Sequence, residues 1–223
     1  MSEAALHVLA DPAAAVGGLL AEAAAEGETI VLTGGSTPGQ AYEHAARLEP
    51  DWSGVSLWWG DERCVPPEDE RSNYGLARRT LLDRLAGLPD VHRIRGELEP
   101  ADAADGYERA ITGVELELLL LGLGPDGHVA SLFPGSPQLA ERKRSVASGP
   151  AGLEPWVDRV TLTVPALLAA RRIVFLVAGE SKAEAVAHAF GGQITEDVPA
   201  SLLRRSGAPI DVYLDPAAAA RIA

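Results

Sequence analysis

ELELLLLGLGPDGHVASLFP, from Glu115 to Pro134, sets both the architecture and the chemistry expected of this chain. Leu118 to Leu121 form an unbroken apolar run, which suits a strand buried on both faces of a parallel sheet better than one with a wet face. Where the run ends, a glycine-rich turn through Gly122, Gly124 and Gly127 carries a carboxylate and an imidazole, Asp126 and His128. Ligands of open α/β sheets sit just beyond the carboxyl ends of the strands, so an active site is expected here.

Outward from this stretch, strands alternate with helices. Toward the N-terminus the pattern predicts a strand over 6–9, a helix over 12–26 opened by Pro12 and stopped by Gly27, and a strand over 29–33. A helix over 38–47, a strand over 55–59, a helix over 73–85, a short strand over 91–94 and a helix over 101–111 follow. Toward the C-terminus come a partly exposed strand over 160–164 and a continuously apolar one over 173–178. A helix from Ser181 to Phe190 follows, with Ser181 and Glu184 as a capping box, then a strand over 210–214 and an Ala-rich terminal helix. Such alternation implies an α/β fold: one Rossmann-like, doubly wound, mostly parallel sheet with helices on both faces and right-handed crossovers. Residues 135–158 break the pattern with three prolines and the basic cluster Arg142, Lys143 and Arg144. They read either as a flap over the site or as a solvated excursion.

A chain of 223 residues can bury one substantial core, and the whole of 1–223 is expected to form a single domain. The net charge of -13 argues against nonspecific binding to nucleic acid or to an acidic membrane, both of which need clustered Lys and Arg. Any anionic ligand must therefore be met by local positive groups. Cys64 is the sole cysteine, so neither an internal disulfide nor a Cys-based zinc site is expected. The Ala-rich N-terminal stretch has no basic flank, and Asp11, Pro12 and Glu22 interrupt it short of membrane-spanning length. Cytoplasmic residence is the expectation.

Four groups of residues carry chemistry. Gly34, Gly35, Ser36, Thr37 and Pro38 lie between a strand and a helix, where backbone N–H groups, the helix dipole and two hydroxyls suit a phosphate. The same residues suit a tight turn with Thr37 as the helix cap, and the two readings are compatible. Asp61, Glu62, Arg63 and Cys64 follow the next strand; Arg63 would hold a phosphate or a developing oxyanion, oriented by Asp61 or Glu62. Cys64 has no evident activating base and reads as a packed small side chain. Ser72 and Asn73 start the next helix or turn inward as polar contacts. Gly122, Gly124 and Gly127 also fit G-x-G-x-x-G, but Asp126 would repel a pyrophosphate and Pro134 and Pro137 stop a long helix. An Asp-x-His pair, in which Asp126 fixes the tautomer of His128, is the alternative. Lys182 near a helix start reads either as a surface lysine or, because its charge is unfavourable for the dipole, as a partner of an anion beside it, and Arg159, next to a strand, is a further candidate.

GGSTP at Gly34, GDERCVP at Gly60, SN at Ser72, GLGPDGHVASLFP at Gly122 and SK at Ser181 together resemble the 6-phosphogluconolactonase family in order and in spread. The resemblance implies a Rossmann-like fold shared with glucosamine-6-phosphate deaminases and ribose-5-phosphate isomerases, and a cytosolic hydrolase of the pentose phosphate pathway that uses no metal or organic cofactor. It implies a phosphosugar lactone as ligand, with no nucleic-acid or membrane partner, in a monomer or homodimer. His128 and Asp126 would be catalytic together with Arg63, and Gly34, Gly35, Ser36, Thr37, Asp61 and Lys182 would bind substrate. The deaminases resemble F-N-E-P where this chain has Ser131, Leu132, Phe133 and Pro134, so their catalytic glutamate falls at Phe133.

Overall fold

A computed structural model describes residues 4–222. The chain runs β1 (Ala5–Val8), α1 (Pro12–Glu26), β2 (Thr29–Leu32), α2 (Ser36–Leu48), β3 (Ser56–Trp59), β4 (Asp61–Arg63), α3 (Asn73–Thr80), β5 (Asp90–His92) and α4 (Pro100–Ile111). It continues through β6 (Leu118–Leu121), β7 (Val146–Gly149), β8 (Arg159–Leu162), α5 (Val164–Leu168), β9 (Arg172–Val177), α6 (Ala183–Val186) and β10 (Ile210–Leu214).

Seven strands form one sheet in the order β1-β10-β9-β6-β2-β3-β5, every neighbouring pair parallel. From β1 through β2 and β3 to β5 the chain travels one way across the sheet; from β5 through β6 and β9 to β10 it returns. Right-handed crossovers put connections of opposite travel on opposite faces. Accordingly α1, α2 and α3 pack in succession, while α4 packs with β7 and β8. Neighbours β2 and β6 leave the sheet in opposite senses, and a topological switch point of this kind opens a crevice beyond the strand ends. That crevice lies between the Gly34 loop and the Asp126 loop.

Local chemistry explains most element boundaries. All four leucines of β6 are 1% exposed or less, as a central parallel strand requires. At the start of α1 the Asp11 carboxylate accepts the Ala14 N–H at 2.9 Å, Pro12 occupies the first turn, and Gly27 ends the helix at φ 73°. Gly17 admits α2: a Cβ there would lie 2.4 Å from His44 Cβ. Two buried tyrosines fasten the strand ends next to the crevice. The Tyr42 hydroxyl accepts the Thr33 N–H at 3.0 Å and donates to the Thr33 carbonyl at 2.6 Å. Tyr107 does the same for Trp59, at 2.8 and 2.9 Å.

Several expectations are corrected. Helix α2 starts at Ser36, behind Gly35 at φ 116°, so Thr37 is not its cap; Ser36 and Thr37 both sit in the first turn. The helix expected to reach residue 85 gives way after Thr80 to a short 3-10 turn over Leu82–Arg84. No capping box forms at Ser181, because a 3-10 turn over Glu180–Lys182 starts behind Gly179 and Glu184 pairs with Arg221 at 3.0 Å. The terminal helix is replaced by turns over 216–221, and the Asp215 carboxylate takes the N–H groups of Gly179 and Ala218.

A second sheet, β4-β8-β7, is antiparallel. Its outer strand β7 lies inside the stretch expected to be irregular, where Glu108 of α4 accepts the Ser145 and Val146 N–H groups. The basic cluster is surface chemistry: Arg142 pairs with Glu196 at 2.8 Å and Arg144 with Asp105 at 2.6 Å. Among the described residues no helix is long and apolar enough to cross a membrane.

Candidate active site

A cavity of about 320 Å³ opens at the switch point. Gly34, Gly35, Ser36, Thr37, Asp61, Arg63, His128 and Lys182 all line it, so residues from the ends of β2, β3, β6 and β9 converge as expected from the sequence.

His128 stands on the cavity wall, and behind it Asp126, which does not itself line the cavity, sets a carboxylate oxygen 2.5 Å from His128 Nδ1 and also accepts the His128 N–H at 3.2 Å. A carboxylate can only accept, which assigns the proton to Nδ1 and leaves Nε2 as the free lone pair of a neutral imidazole. Partial burial pushes the Asp126 pKa up, but the hydrogen bonds and charge of His128 outweigh it, and the group titrates below an ordinary aspartate. The turn is made for this contact: a Cβ at Gly124 would stand 2.0 Å from His128 Nδ1 and 2.6 Å from Asp126 Oδ1. The imidazole leans on Phe133, with ring centroids 4.5 Å apart. Ala130, at φ 50°, continues the loop in a strained conformation on the cavity wall.

The DER segment folds as strand β4, and its alternation sorts three charges. Asp61 and Arg63 face the cavity. Glu62 turns the other way and caps α3, accepting the N–H groups of Arg63, Asn73 and Tyr74 and the Ser72 hydroxyl. Burial raises its pKa in spite of those donors. Glu62 therefore does not orient Arg63, and neither does Asp61. Asp61 accepts the Ser131 hydroxyl at 2.5 Å and the Asn73 amide at 3.1 Å, while Arg63 Nη1 donates to the Arg71 carbonyl at 2.5 Å. Asn73 presses against the glycine turn that precedes α2, since a Cβ at Gly34 would stand 1.9 Å from its Oδ1. Ser72 caps α3 through the Gly75 N–H at 2.9 Å. Burial, then the charge of Asp158, pushes the Cys64 thiol up to about 11, which suits a packed side chain and not a nucleophile.

Among the described residues Arg63, Arg159 and Lys182 form no salt bridge. Burial lowers the Lys182 pKa, with the charge of Asp126 offsetting part of the effect. The first turn of α2 adds N–H groups that have no partner inside the helix. The cavity thus sets unpaired cationic side chains and free N–H groups beside an imidazole, an arrangement able to receive an anion. Sequence reasoning missed Ser131, which ties the His128 loop to Asp61, and missed Leu153 and Glu154, which wall the cavity from the 135–158 segment. Neither the spacing nor the composition signals those contacts, which form between segments distant in sequence.

Residues 4–211 match the family described as glucosamine-6-phosphate isomerases/6-phosphogluconolactonase. The chain is 39% identical over 207 residues to a 6-phosphogluconolactonase of Mycobacterium tuberculosis, covering 83% of this chain and 82% of that protein. It is 40% identical over 173 residues to a human 6-phosphogluconolactonase, covering 74% and 67% respectively. The solved structure of 6-phosphogluconolactonase from Trypanosoma brucei superposes with a TM-score of 0.83 at 28% identity, over the full length of both chains.

Proposed function

The chain belongs to the glucosamine-6-phosphate isomerase/6-phosphogluconolactonase family, and from that premise we propose how its cavity carries out the family's hydrolytic chemistry. The protein is a lactone hydrolase that converts 6-phospho-D-glucono-1,5-lactone to 6-phosphogluconate, a step of the pentose phosphate pathway. His128 is the general base. With its Nδ1 proton held by Asp126, the imidazole takes a proton from water at Nε2 as the water attacks the lactone carbonyl. The imidazolium then returns the proton to the ring oxygen as the C1–O bond breaks. Gly35, Ser36, Thr37 and Lys182 hold the phosphate, so that binding energy far from the reacting bond places the carbonyl against His128. Arg63 stands ready for negative charge in the same cavity.

The observation that supports this reading most directly is the 2.5 Å Asp126–His128 contact at a cavity that also holds the α2 N-terminus and Lys182. Phe133, whose ring lies tilted against His128, occupies the place of the deaminases' catalytic glutamate, so the acid that assists ring opening there has no counterpart here. The test is a coupled assay in which glucose-6-phosphate dehydrogenase generates the lactone and its disappearance is followed with and without this protein. Acceleration is expected; a rate equal to the spontaneous one would sink the reading.

A further inference from the structure

Arg63 and Arg159 stand directly opposite one another in the antiparallel β4–β8 ladder. Residues so placed carry their side chains on one face, with Cβ atoms about 5 Å apart, and like charges in that relation are destabilising. Both line the cavity. Arg159 is only 2% exposed. Its Nη2 donates to the Pro155 carbonyl at 2.9 Å, but its Nη1 is buried with no hydrogen-bond partner. Burial and then the charge of Arg63 lower its pKa, with Asp61 offsetting in part. Asp61 faces the same way along the strand, yet its oxygens are taken by Ser131 and Asn73. Asp61 and Glu154 share the cavity with the two guanidinium groups, yet neither carboxylate forms a salt bridge with them among the described residues. Burying a cation short of its counter-charge gives a fold no stability, so the missing charge must come from the cavity.

Two anions belong to the reaction proposed above, on which this argument rests. The phosphate has its own ligands in α2 and Lys182. The other anion is made during turnover: water adds its oxygen to C1, the C1–ring oxygen bond breaks, the ring oxygen takes the proton held by His128, and the new carboxyl group releases its proton to solvent. We infer that Arg159, beside Arg63, binds the charge created at C1, first the oxyanion of the tetrahedral intermediate and then the product carboxylate. The placement fits, because Asp61, on the arginines' strand face, is bonded to Ser131, three residues beyond His128. A planar carboxylate also matches a guanidinium fork. C1 of the lactone is uncharged, so the unpaired positive charge does little for bound substrate and gains as the reaction proceeds, which is the condition for lowering a barrier.

The test compares two ligands that share the phosphate and the hydroxyl chain: 6-phosphogluconate, which has the carboxylate, and glucitol 6-phosphate, which lacks it. Calorimetric affinities are measured for the wild type, Arg159→Met and Arg159→Lys. The wild type is expected to prefer 6-phosphogluconate. Arg159→Met should weaken that ligand roughly 10- to 100-fold, the range for a lost charge-assisted hydrogen bond, and leave glucitol 6-phosphate unchanged, with partial recovery in Arg159→Lys. In turnover the loss should fall on kcat more than on KM. Equal weakening of both ligands would assign Arg159 to the phosphate or to the fold and overturn the inference, as would an unchanged affinity for 6-phosphogluconate. Absence of wild-type turnover would instead strike the lactonase reading, which these binding measurements do not use.

Discussion

Asp126 and His128 are held in contact, carboxylate oxygen to Nδ1 at 2.5 Å, by a turn with no room for any side chain at Gly124. The dyad is thus a property of the loop backbone as much as of the two side chains. Removing the base with His128→Ala should lower kcat by about 10² to 10⁴ while leaving 6-phosphogluconate bound; a wild-type kcat would remove His128 from the mechanism.

Gly124→Ala should be nearly as damaging without touching a functional group. The added methyl would fall 2.0 Å from His128 Nδ1, so the imidazole has to move. A loss of at least tenfold in kcat, with the unfolding midpoint within a few degrees of wild type, is expected, since a misplacement of about 1 Å is costly to catalysis. An unchanged kcat would show that the turn does not set the geometry.

Asp126 also predicts a pH dependence of stability. Its folded-state pKa lies below that of an unfolded aspartate, so the stabilisation it gives is complete above the unfolded value of about 3.9 and fades as pH falls through the folded one. Denaturant midpoints of wild type and Asp126→Asn should therefore differ by a constant amount above about pH 5 and converge in more acidic solution. A gap that widened below pH 4 would contradict the sign.

Lys182→Ala should raise KM for the lactone with a smaller effect on kcat, since the proposed mechanism gives the amine to the phosphate and not to the reacting bond. Steady-state kinetics decide this, and an unchanged KM would take Lys182 out of the phosphate site.

Glu62→Ala should act on stability. It would strip the Arg63 N–H of β4, the Asn73 and Tyr74 N–H groups at the start of α3 and the Ser72 hydroxyl of their acceptor, at a cost of about 3 kcal/mol in urea unfolding. A loss below about 0.5 kcal/mol would mean that water replaces the carboxylate without penalty.

The sequence was most legible where one physical signal dominated. Pro12–Glu26 and Leu118–Leu121 are found with the boundaries read from their caps and apolar run. The convergence of the Gly34, Asp61 and His128 segments followed from strand-end positions, whereas Lys182 was brought to the site by the family resemblance. It was illegible where tertiary contacts overrode local pattern. Asp61–Arg63 looks like a charged loop, yet it forms a strand because β8 lies beside it and each charge has a separate destination. Val146–Gly149 has little strand character of its own and is recruited by β8 and Glu108. At the C-terminus the alanines favour helix, but the chain forms turns over 216–221.

The tyrosine clasps on Thr33 and Trp59 bear on what binding has to displace. The last peptide groups before the Gly34 and Asp61 loops take both their hydrogen bonds from a buried phenol and need no water. A ligand that dries the cavity therefore leaves neither strand end short of a partner. The dehydration penalty falls instead on the charged side chains and on the free N–H groups at the start of α2, and those are the groups that a phosphorylated substrate is equipped to satisfy.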